Sequence, residues 1–288
     1  MSPGVTRVGL IPHRDKDFAR DLAEHAAAWL EDHGVAVELV KPDADRIGRP
    51  ELAVDAGTFP DGLDVVISLG GDGSMLRAID ESYDAGVAVL GVNVGQMGYL
   101  TEVEPADLDV ALTRLLTGDY RIDERMVLSI RVESAGPAGG HWYGLNEAVL
   151  EKTRTGHMAR LEVDINGTFF TTYAADGVIV ATPTGSTAYS FSARGPIVSP
   201  RHRCLLLTPV SPHMLFDRSL VLDADEELCF RVTDVSGALL TVDGRELGHL
   251  DLDDVITCTS GPRPARIVSY ARRDFHQILK AKFGLADR

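Results

Sequence analysis

The sequence predicts an α/β N-terminal domain, an all-β C-terminal domain and a final helix. Three observations carry this prediction. Up to about residue 122, apolar runs typical of buried strands alternate with segments of helical spacing. Beyond that point short strand-like runs follow one another, and two pairs of them are joined by Asn-Gly or Asp-Gly, which are typical of hairpins. Helical spacing returns at residues 272–283.

The first three predicted elements open the α/β domain. Residues 7–12 and 35–40 are apolar runs that predict strands. The helix between them is predicted from the spacing of Phe18, Leu22, Ala26 and Leu30. Gly34 ends this helix, as a C-terminal glycine does. Residues 41–62 are polar and rich in Pro, Gly and Asp, and they predict a mobile loop with one short helical turn.

Two further predicted strands end in glycines. Residues 65–69 are β-branched and apolar, and they lead through a glycine-rich turn into a helix predicted over residues 75–84. Residues 87–94 form the next strand, followed by Gly95 and Gly98. A helix then opens at Pro105 and closes at Gly118.

This alternation predicts a Rossmann-like parallel sheet over residues 1–122, with ligands at the carboxyl ends of its strands. Both glycine turns, at residues 70–73 and 95–98, lie at such ends. The first strand lacks Gly-x-Gly-x-x-Gly, so the usual dinucleotide fingerprint is absent from the sequence.

Residues 123–265 predict the antiparallel β domain. Asn166-Gly167 and Asp243-Gly244 each separate two strand-like runs and predict hairpins. Other short strands are predicted from apolar runs at residues 126–132, 177–181, 204–208, 227–232 and 255–259. Residues 266–288 are expected to return to the first domain and pack on it as a helix.

Composition restricts the possible functions. With 28 Lys+Arg against 43 Asp+Glu, the net charge is −15, which argues against sustained binding to nucleic acid or anionic membranes. Three scattered cysteines without Cys-x-x-Cys spacing predict reduced thiols. No signal-peptide core is present, so a cytoplasmic location is expected. The nine histidines show no spacing typical of metal ligands.

The stretch Gly70-Gly71-Asp72-Gly73-Ser74 carries the first chemical prediction. Glycines allow positive φ and a close approach by a ligand, and the N–H groups that open the next helix suit phosphate. An aspartate there repels phosphate unless it binds a metal or accepts a proton, which is the chemistry of phosphoryl transfer to a hydroxyl. The alternative is that Asp72 and Ser74 only cap the helix.

Two other groups have polar side chains suited to a nucleotide. Asn146-Glu147 can bind two ribose hydroxyls, although such a pair is also common in turns. Residues 176–189 place four hydroxyl side chains and a glycine after a buried strand and ahead of Tyr189. They can hold phosphate or a base edge, and the alternative is a Ser/Thr-rich turn.

Together these residues resemble the NAD kinase family, which phosphorylates the adenosine 2′-hydroxyl of NAD to make NADP. The resemblance covers about two thirds of the chain in family order. Its motifs are Gly70-Gly71-Asp72-Gly73, Gly91-Val92-Asn93 with Gly95 and Gly98-Tyr99, Glu124-Arg125, Asn146-Glu147, Asp176 to Tyr189, Gly195-Pro196-Ile197-Val198, Ser211-Pro212-His213 and Val242-Asp243-Gly244. The 176–189 match is specific. Gly-Gly-Asp-Gly is shared with phosphofructokinases and with diacylglycerol and sphingosine kinases.

The resemblance implies an NAD kinase/diacylglycerol kinase-like fold and a role for each matched residue. Asp72 is the implied general base, and Mg²⁺ or another divalent cation with ATP or polyphosphate supplies the phosphoryl group. The resemblance also implies that the metal is held mainly by the donor phosphates and that the protein is a homodimer or homotetramer. The implied donor-binding residues are Gly70, Gly71, Gly73 and Ser74. The implied NAD-binding residues are Gly73, Tyr99, Asn146, Glu147, Asp176, Thr184, Thr187, Ala188 and Tyr189.

Two departures from the family pattern stand near these motifs. Arg194 replaces the first glycine of Gly-Gly-Pro-Ile, and Tyr99 replaces a common phenylalanine. Two alternative functions are a related kinase that acts on a lipid or sugar phosphate and a dinucleotide-binding regulator without chemistry. No apolar or basic stretch suited to a membrane supports the lipid acceptor.

Overall fold

The computed structural model describes residues 4–95, 98–271 and 274–285. Two compact units divide the chain. The first combines Met1–Glu124 with Ala265–Arg288, and the second is Arg125–Pro264. The chain therefore leaves the first unit once and returns to it at its C-terminal end.

Strands predominate in the described residues. In chain order they are β1 Arg7–Pro12, β2 Ala36–Val40, β3 Ala53–Val54, β4 Val65–Gly70, β5 Ala88–Asn93, β6 Arg121–Arg125, β7 Leu128–Glu133, β8 Gly140–Gly144, β9 Glu147–Glu151, β10 Ala159–Ile165, β11 Thr168–Ala175, β12 Gly177–Ala181, β13 Cys204–Val210, β14 Leu220–Asp223, β15 Leu228–Val232, β16 Ala238–Val242, β17 Arg245–Leu250, β18 Val255–Ser260 and β19 Ala265–Ser269. The α-helices are α1 Asp17–Asp32, α2 Lys41–Arg46, α3 Asp72–Ser82, α4 Leu108–Leu116, α5 Tyr189–Ser192 and α6 Phe275–Phe283. Short 3₁₀ turns occupy Pro50–Leu52, Pro105–Asp107 and Gly185–Thr187.

The first unit is built on a sheet with the order β3-β2-β1-β4-β5-β19-β6. Strand β1 pairs in parallel with both β2 and β4, and β4 pairs in parallel with β5. Every residue of β4 and β5 is buried, as expected for central strands of a sheet covered on both faces. The register places Gly70 opposite Asn93, so the carboxyl ends of β4 and β5 lie side by side.

Helix α1 shows why the predicted pattern folds as it does. Its buried stripe is Ala19, Leu22, Ala23, Ala26, Ala27 and Leu30. Phe18, which matched the helical spacing, is instead 56% exposed. Gly34 follows the helix with φ +76°, in the left-handed region that glycine favours.

The mobile loop predicted for residues 41–62 is wrong. Helix α2, a 3₁₀ turn and β3 occupy much of it, and β3 adds to the sheet edge in parallel with β2. Pro42 is compatible with α2 because it lies in the first turn, where its missing N–H costs no intrahelical bond. Phe59 and Leu63 are buried beside Gly9 of β1, where a Cβ would lie within 3 Å of both side chains.

Strand β19 was not predicted from the sequence. It pairs in parallel with β5 and lies between β5 and β6 in the first sheet. The chain thus returns to the first unit through a strand as well as through α6. The predicted beginning of the last helix at residue 272 lies outside the described residues, and α6 runs from Phe275 to Phe283.

The second unit consists of two six-stranded antiparallel sheets, in the orders β11-β10-β15-β18-β7-β8 and β14-β13-β12-β9-β16-β17. The two predicted hairpins are confirmed as β10–β11 and β16–β17. One buried cluster joins residues of both sheets, including Ile130 and Phe230 of the first and Leu150 and Val180 of the second. The fold class expected from the sequence is therefore confirmed.

The three cysteines are free thiols; Cys204 and Cys258 are buried and Cys229 is partly buried. Among the described helices, none has the length and apolar character needed to cross a membrane.

Candidate active site

The glycine-rich turn begins at the end of β4 and is shorter than predicted. Gly70 is the last residue of β4, Gly71 is the N-cap, and α3 already begins at Asp72 rather than near residue 75. Gly70 has a steric reason, because a Cβ there would lie 2.2 Å from the Ser74 Oγ. The turn thus places Asp72, Gly73 and Ser74 in the first turn of a helix, where N–H groups have no intrahelical acceptor.

The expectation of positive φ in this turn is wrong. Gly71 has φ −98° and ψ −164°, and Gly70 and Gly73 are not among the positive-φ glycines either. A Cβ at Gly71 or Gly73 would meet no atom of the described residues within 4 Å. These two glycines therefore border open space, which leaves close approach by a ligand as the physical reason for them.

The Asp72 carboxylate is held by a loop and does not cap its own helix. Oδ2 accepts the Tyr99 N–H at 2.8 Å, and Oδ1 accepts the Leu100 N–H at 2.9 Å. Both oxygens keep lone pairs for a further partner, since an ionised carboxylate has about four acceptor sites. Gly98 allows this contact, because a Cβ there would lie 2.2 Å from Asp72 Oδ1. The carboxylate is fixed in direction and remains half-buried.

A cavity of about 280 Å³ lies beside the same helix terminus. The β1–α1 connection supplies one side of it with His13, Arg14, Asp15 and Lys16, and the glycine turn supplies the other with Gly71, Gly73, Ser74 and Arg77. The Lys16 Nζ donates to the Val94 carbonyl at 2.5 Å, and the Arg77 guanidinium donates to Asp43 at 2.9 Å. Cations and helix N–H groups together make this cavity suitable for an anion.

In the second unit, Asn146 and Glu147 lie where a bend enters β9. Among the described residues, no hydrogen bond is made by the Asn146 side chain. Glu147 is 6% exposed, and its carboxyl accepts the Tyr189 backbone N–H. Its Oε2 has no hydrogen-bond partner within the described part of the chain. Burial first, and then the charge of Asp243, raises the pKa of Glu147 to about 8.

The segment after β12 brings several predicted residues close to this bend. Thr184 is buried, and Thr187 and Ala188 lie in the 3₁₀ turn and directly after it. A Cβ at Gly185 would lie 2.1 Å from the Asn146 carbonyl oxygen, so the two backbones touch. Burial, followed by the charges of Glu151 and Asp176, raises the pKa of Tyr189, which places Asp176 near that ring. Asp176 is itself paired with Lys152 at 2.5 Å.

Of the two departures from the family pattern, Arg194 has a visible structural consequence. Its φ of +66° lies in the left-handed region, where glycine carries no steric penalty. The following Gly195 is tightly packed, because a Cβ there would lie 2.3 Å from the Ser190 Oγ. Tyr99 is half-buried, with the Lys282 ammonium 5.0 Å from its ring centroid.

Several residues of these sites were not assigned a role from the sequence. Arg14 and Lys16 are distant in sequence from the glycine turn whose cavity they line, and Lys152 is distant from Asp176, with which it pairs. Gly98 and Asp243 belong to quoted motifs, but their contacts depend on long-range packing. Only the folded chain shows that Gly98 leaves room for the Asp72 carboxylate and that Asp243 accepts the amides of residues 145–147.

The buried Glu147 predicts a pH-dependent stability. Its ordinary pKa is 4.5 and its folded value is about 8, so between these values folding takes up a proton at this group. Its contribution to the free energy of unfolding therefore falls as pH rises from 4.5 to 8, by at most about 1.4 kcal/mol per pH unit, and is constant above. We expect Glu147→Gln to gain stability relative to the wild type across that window.

Urea unfolding at several pH values between 5 and 9 measures this difference. Glu162→Gln is the matched control, because Glu162 is a strand residue of the same unit with a side chain 38% exposed. Its difference from the wild type should be flat with pH. Parallel curves for Glu147→Gln and the wild type would show that Glu147 is ionised in the folded chain.

The sequence matches two family descriptions that together span most of the chain. Residues 8–120 match the ATP-NAD kinase N-terminal domain, and residues 145–270 match the ATP-NAD kinase C-terminal domain. The NAD kinase of Symbiobacterium thermophilum is 41% identical over 279 residues, covering 96% of this chain and 99% of that protein. The NAD kinase of Syntrophotalea carbinolica is 33% identical over 287 residues, covering 99% of this chain and 100% of that protein.

Solved structures share the fold. Yeast NADH kinase complexed with NADH superposes with a TM-score of 0.90 at 23% identity, covering 100% of this chain and 90% of that chain. An NAD kinase from Archaeoglobus fulgidus in complex with ATP gives a TM-score of 0.72 at 23% identity, covering 98% and 100%. With both domain matches and relatives of this identity over nearly its full length, the chain belongs to the NAD kinase family of phosphotransferases.

Proposed function

We propose that this chain transfers the γ-phosphoryl group of ATP to the adenosine 2′-hydroxyl of NAD, giving NADP and ADP. The observation that supports this most is the position of Asp72. Its carboxylate stands at the carboxyl end of a parallel strand, beside open helix N–H groups, and is oriented by two loop amides. A base beside a phosphate-binding turn is what transfer to an alcohol needs.

In the proposed step Asp72 takes the proton of the 2′-hydroxyl. The 2′-oxygen forms a bond to the γ-phosphorus, the bond between that phosphorus and the bridging oxygen breaks, and ADP leaves. The amides that hold Asp72 leave it lone pairs for the hydroxyl, and they keep the carboxylate from rotating. Orientation of the base contributes to the rate because it is established before the substrate reacts.

We assign the second unit's bend and hydroxyl segment to the dinucleotide. Among the residues that the structure describes, the Asn146 amide and the Glu147 Oε2 have no hydrogen-bond partner, so both have hydrogen-bonding capacity for ribose hydroxyls. Thr184, Thr187, Ala188 and Tyr189 belong to the segment that follows β12 beside this bend, whereas Asp176 lies at the opposite end of β12, near the Tyr189 ring. All five are assigned to the bases and the remaining ribose. Gly73 and Tyr99, which the family resemblance implies, are also assigned to NAD.

The donor phosphates are assigned to the cavity beside Gly70, Gly71, Gly73 and Ser74. Arg14 lines it and makes neither a hydrogen bond nor an ion pair in the part of the chain that the structure describes. A hydrogen bond to a charged group contributes about 1.5–3 kcal/mol. We therefore expect Arg14→Gln to raise the KM for ATP by roughly tenfold to a hundredfold, with the KM for NAD unchanged.

Arg20→Gln serves as the matched control, since Arg20 lies on α1 and is paired with Asp21 at 2.8 Å. Its kinetic constants should equal those of the wild type. An Arg14→Gln enzyme with an unchanged KM for ATP, or with a raised KM for NAD instead, would refute the donor assignment while leaving Asp72 untouched.

We further propose that the divalent cation arrives with ATP, as part of the substrate. In the described residues, no three His, Cys, Asp or Glu side chains group closely enough to hold a metal ion. Mg²⁺ prefers hard oxygen ligands, and the donor phosphates supply them, so we assign the cation mainly to the donor. A homodimer or homotetramer in the cytoplasm, with no nucleic-acid or membrane partner, remains our expectation for the assembled enzyme.

An assay of NADP formation with purified protein, Mg²⁺ and NAD tests the proposal, with ATP and polyphosphate compared as donors. NADP should form with ATP and depend on both substrates. The absence of NADP with every donor, in protein that binds NAD, would contradict the proposed activity.

A further inference from the structure

The bend at residues 145–147 has all of its backbone polar groups paired inside the second unit. The Thr182 Oγ1 donates to the Leu145 carbonyl at 2.5 Å, and the Thr182 N–H donates to the Asn146 carbonyl at 2.9 Å. The Glu147 carbonyl accepts the Asp243 N–H at 3.0 Å. The backbone of the bend is therefore fixed, whereas the side chains of Asn146 and Glu147 keep unengaged polar atoms.

The three amides of this bend converge on a single carboxylate. Asp243 Oδ2 accepts the Leu145 N–H at 2.6 Å, and Asp243 Oδ1 accepts the N–H groups of Asn146 and Glu147 at 2.8 and 3.0 Å. Consecutive N–H groups that point at one centre form an anion-binding concavity, which here is filled by a side chain of the protein. A neutral residue would leave part of this concavity without an acceptor.

Asp243 reaches the bend from the tip of the β16–β17 hairpin. Its φ is +49° and that of Gly244 is +76°, as in the type I′ turns favoured by two-residue hairpins. Asparagine or glycine would satisfy this turn as well as aspartate does. Turn geometry therefore accounts for the backbone at this position, whereas the three amide contacts account for the carboxylate.

We propose that Asp243 is a positioning residue for the NAD site, because its carboxylate fixes the bend that presents Asn146 and Glu147 to the substrate. The inference rests on the proposed function in one respect, namely that these two side chains bind NAD. Asp243 itself is assigned no contact with the substrate. Its negative charge beside Glu147 also supports the raised pKa of that carboxyl.

Two substitutions at Asp243 separate the contribution of the carboxylate from that of the turn geometry. Asp243→Gly keeps the left-handed backbone and removes all three contacts. Asp243→Asn keeps an acceptor oxygen for two amides but turns an NH₂ donor toward the third, so its effect should be intermediate. Asn166→Gly is the matched control, because Asn166 has φ +52°, precedes Gly167, and also accepts a backbone N–H, that of Glu227 at 2.9 Å.

Hydrogen exchange of the amides of residues 145–147 is the first readout, and it requires no assumption about the ligand. We expect exchange about tenfold to a hundredfold faster in the D243G variant, intermediate in D243N, and unchanged in N166G. Equal exchange in D243G and the wild type would refute the proposal that the Asp243 carboxylate fixes this bend. If D243G does not fold, the D243N variant gives the same test with a smaller expected change.

Steady-state kinetics is the second readout. The kcat/KM for NAD should fall by about tenfold to a hundredfold in D243G and less in D243N. The kcat/KM for NAD of N166G and the KM for ATP of all three variants should stay at wild-type values. Faster exchange with an unchanged kcat/KM for NAD would contradict the positioning role. Asn146→Ala is measured alongside: an unchanged KM for NAD in that variant would instead contradict the proposed substrate assignment.

Discussion

Replacing Asp72 with asparagine is expected to lower kcat by about 10²–10⁴-fold, the usual contribution of a general base. Asparagine has nearly the same shape but cannot accept the proton of the 2′-hydroxyl, and its NH₂ group faces one of the two loop N–H groups that the carboxylate accepts. The dissociation constant for NAD should stay within a few-fold of the wild-type value, because the proposed dinucleotide contacts lie mainly in the second unit. Steady-state assays of NADP formation and calorimetric titration with NAD measure the two effects.

Asp80→Asn provides the matched control, since Asp80 is an exposed aspartate on the same helix. Its kcat should equal that of the wild type. Asp72→Ala should lose at least as much activity as Asp72→Asn, because it also leaves the Tyr99 and Leu100 amides without their acceptor. Full activity in either Asp72 variant would remove the general-base assignment.

The Gly98→Ala substitution is expected to lower kcat by roughly 10²-fold. A Cβ at this position would lie 2.2 Å from Asp72 Oδ1, 2.9 Å from its Cγ and 2.7 Å from the Thr101 Oγ1. The carboxylate has little freedom to yield, because two amides of the same loop hold it. Either Asp72 turns away or the loop moves, and a displacement of about 1 Å at a reacting group costs rates of this order.

Gly57→Ala is the control for glycine replacement in the same unit, because a Cβ there would meet no atom within 4 Å. Both variants should keep the wild-type thermal midpoint within a few degrees if the Gly98 effect is local. A Gly98→Ala enzyme with kcat within twofold of the wild type would show that the position of Asp72 is not critical for the rate.

Periodicity and turn chemistry were sufficient to predict most of the fold. The strand that ends at Gly70 is apolar except for Ser68, and Asn166-Gly167 and Asp243-Gly244 specify tight hairpins; each of these is a local signal. The prediction failed where local composition and tertiary packing disagree. Residues 41–62 are polar on average, yet Phe59 of this segment packs onto β1 together with Leu63, which follows the segment.

Strand β19 escaped prediction for a different reason. Its five residues, Ala265–Ser269, carry little signal of their own, and their place beside β5 depends on a partner far along the chain. Parallel pairing between distant segments has no short-range signature such as a turn. The return of the chain to the first sheet is therefore a property of the folded molecule.

In the candidate site, too, local sequence signals were predictable and long-range contacts were not. Asp72 was identifiable from the glycines around it, and Asn146 and Glu147, a pair also common in turns, were identifiable as part of the motifs that resemble the family. The groups that hold them were not, since the Tyr99 and Leu100 amides and the Asp243 carboxylate act through contacts 27, 28 and 96 to 98 residues away. The expectation of positive φ at the glycine turn was wrong. Gly71 and Gly73 are explained by the open space beside them and not by their backbone conformation.

The general-base role of Asp72 is tested most directly by the single-turnover rate of NADP formation, measured in enzyme that is saturated with NAD and then mixed with excess ATP and Mg²⁺. Rapid quenching isolates phosphoryl transfer from binding and product release. If Asp72 is the general base, the rate at equal NAD occupancy is at least about 100-fold lower in Asp72→Asn than in the wild type and unchanged in Asp80→Asn. Equal single-turnover rates in the Asp72→Asn and wild-type enzymes would contradict that role.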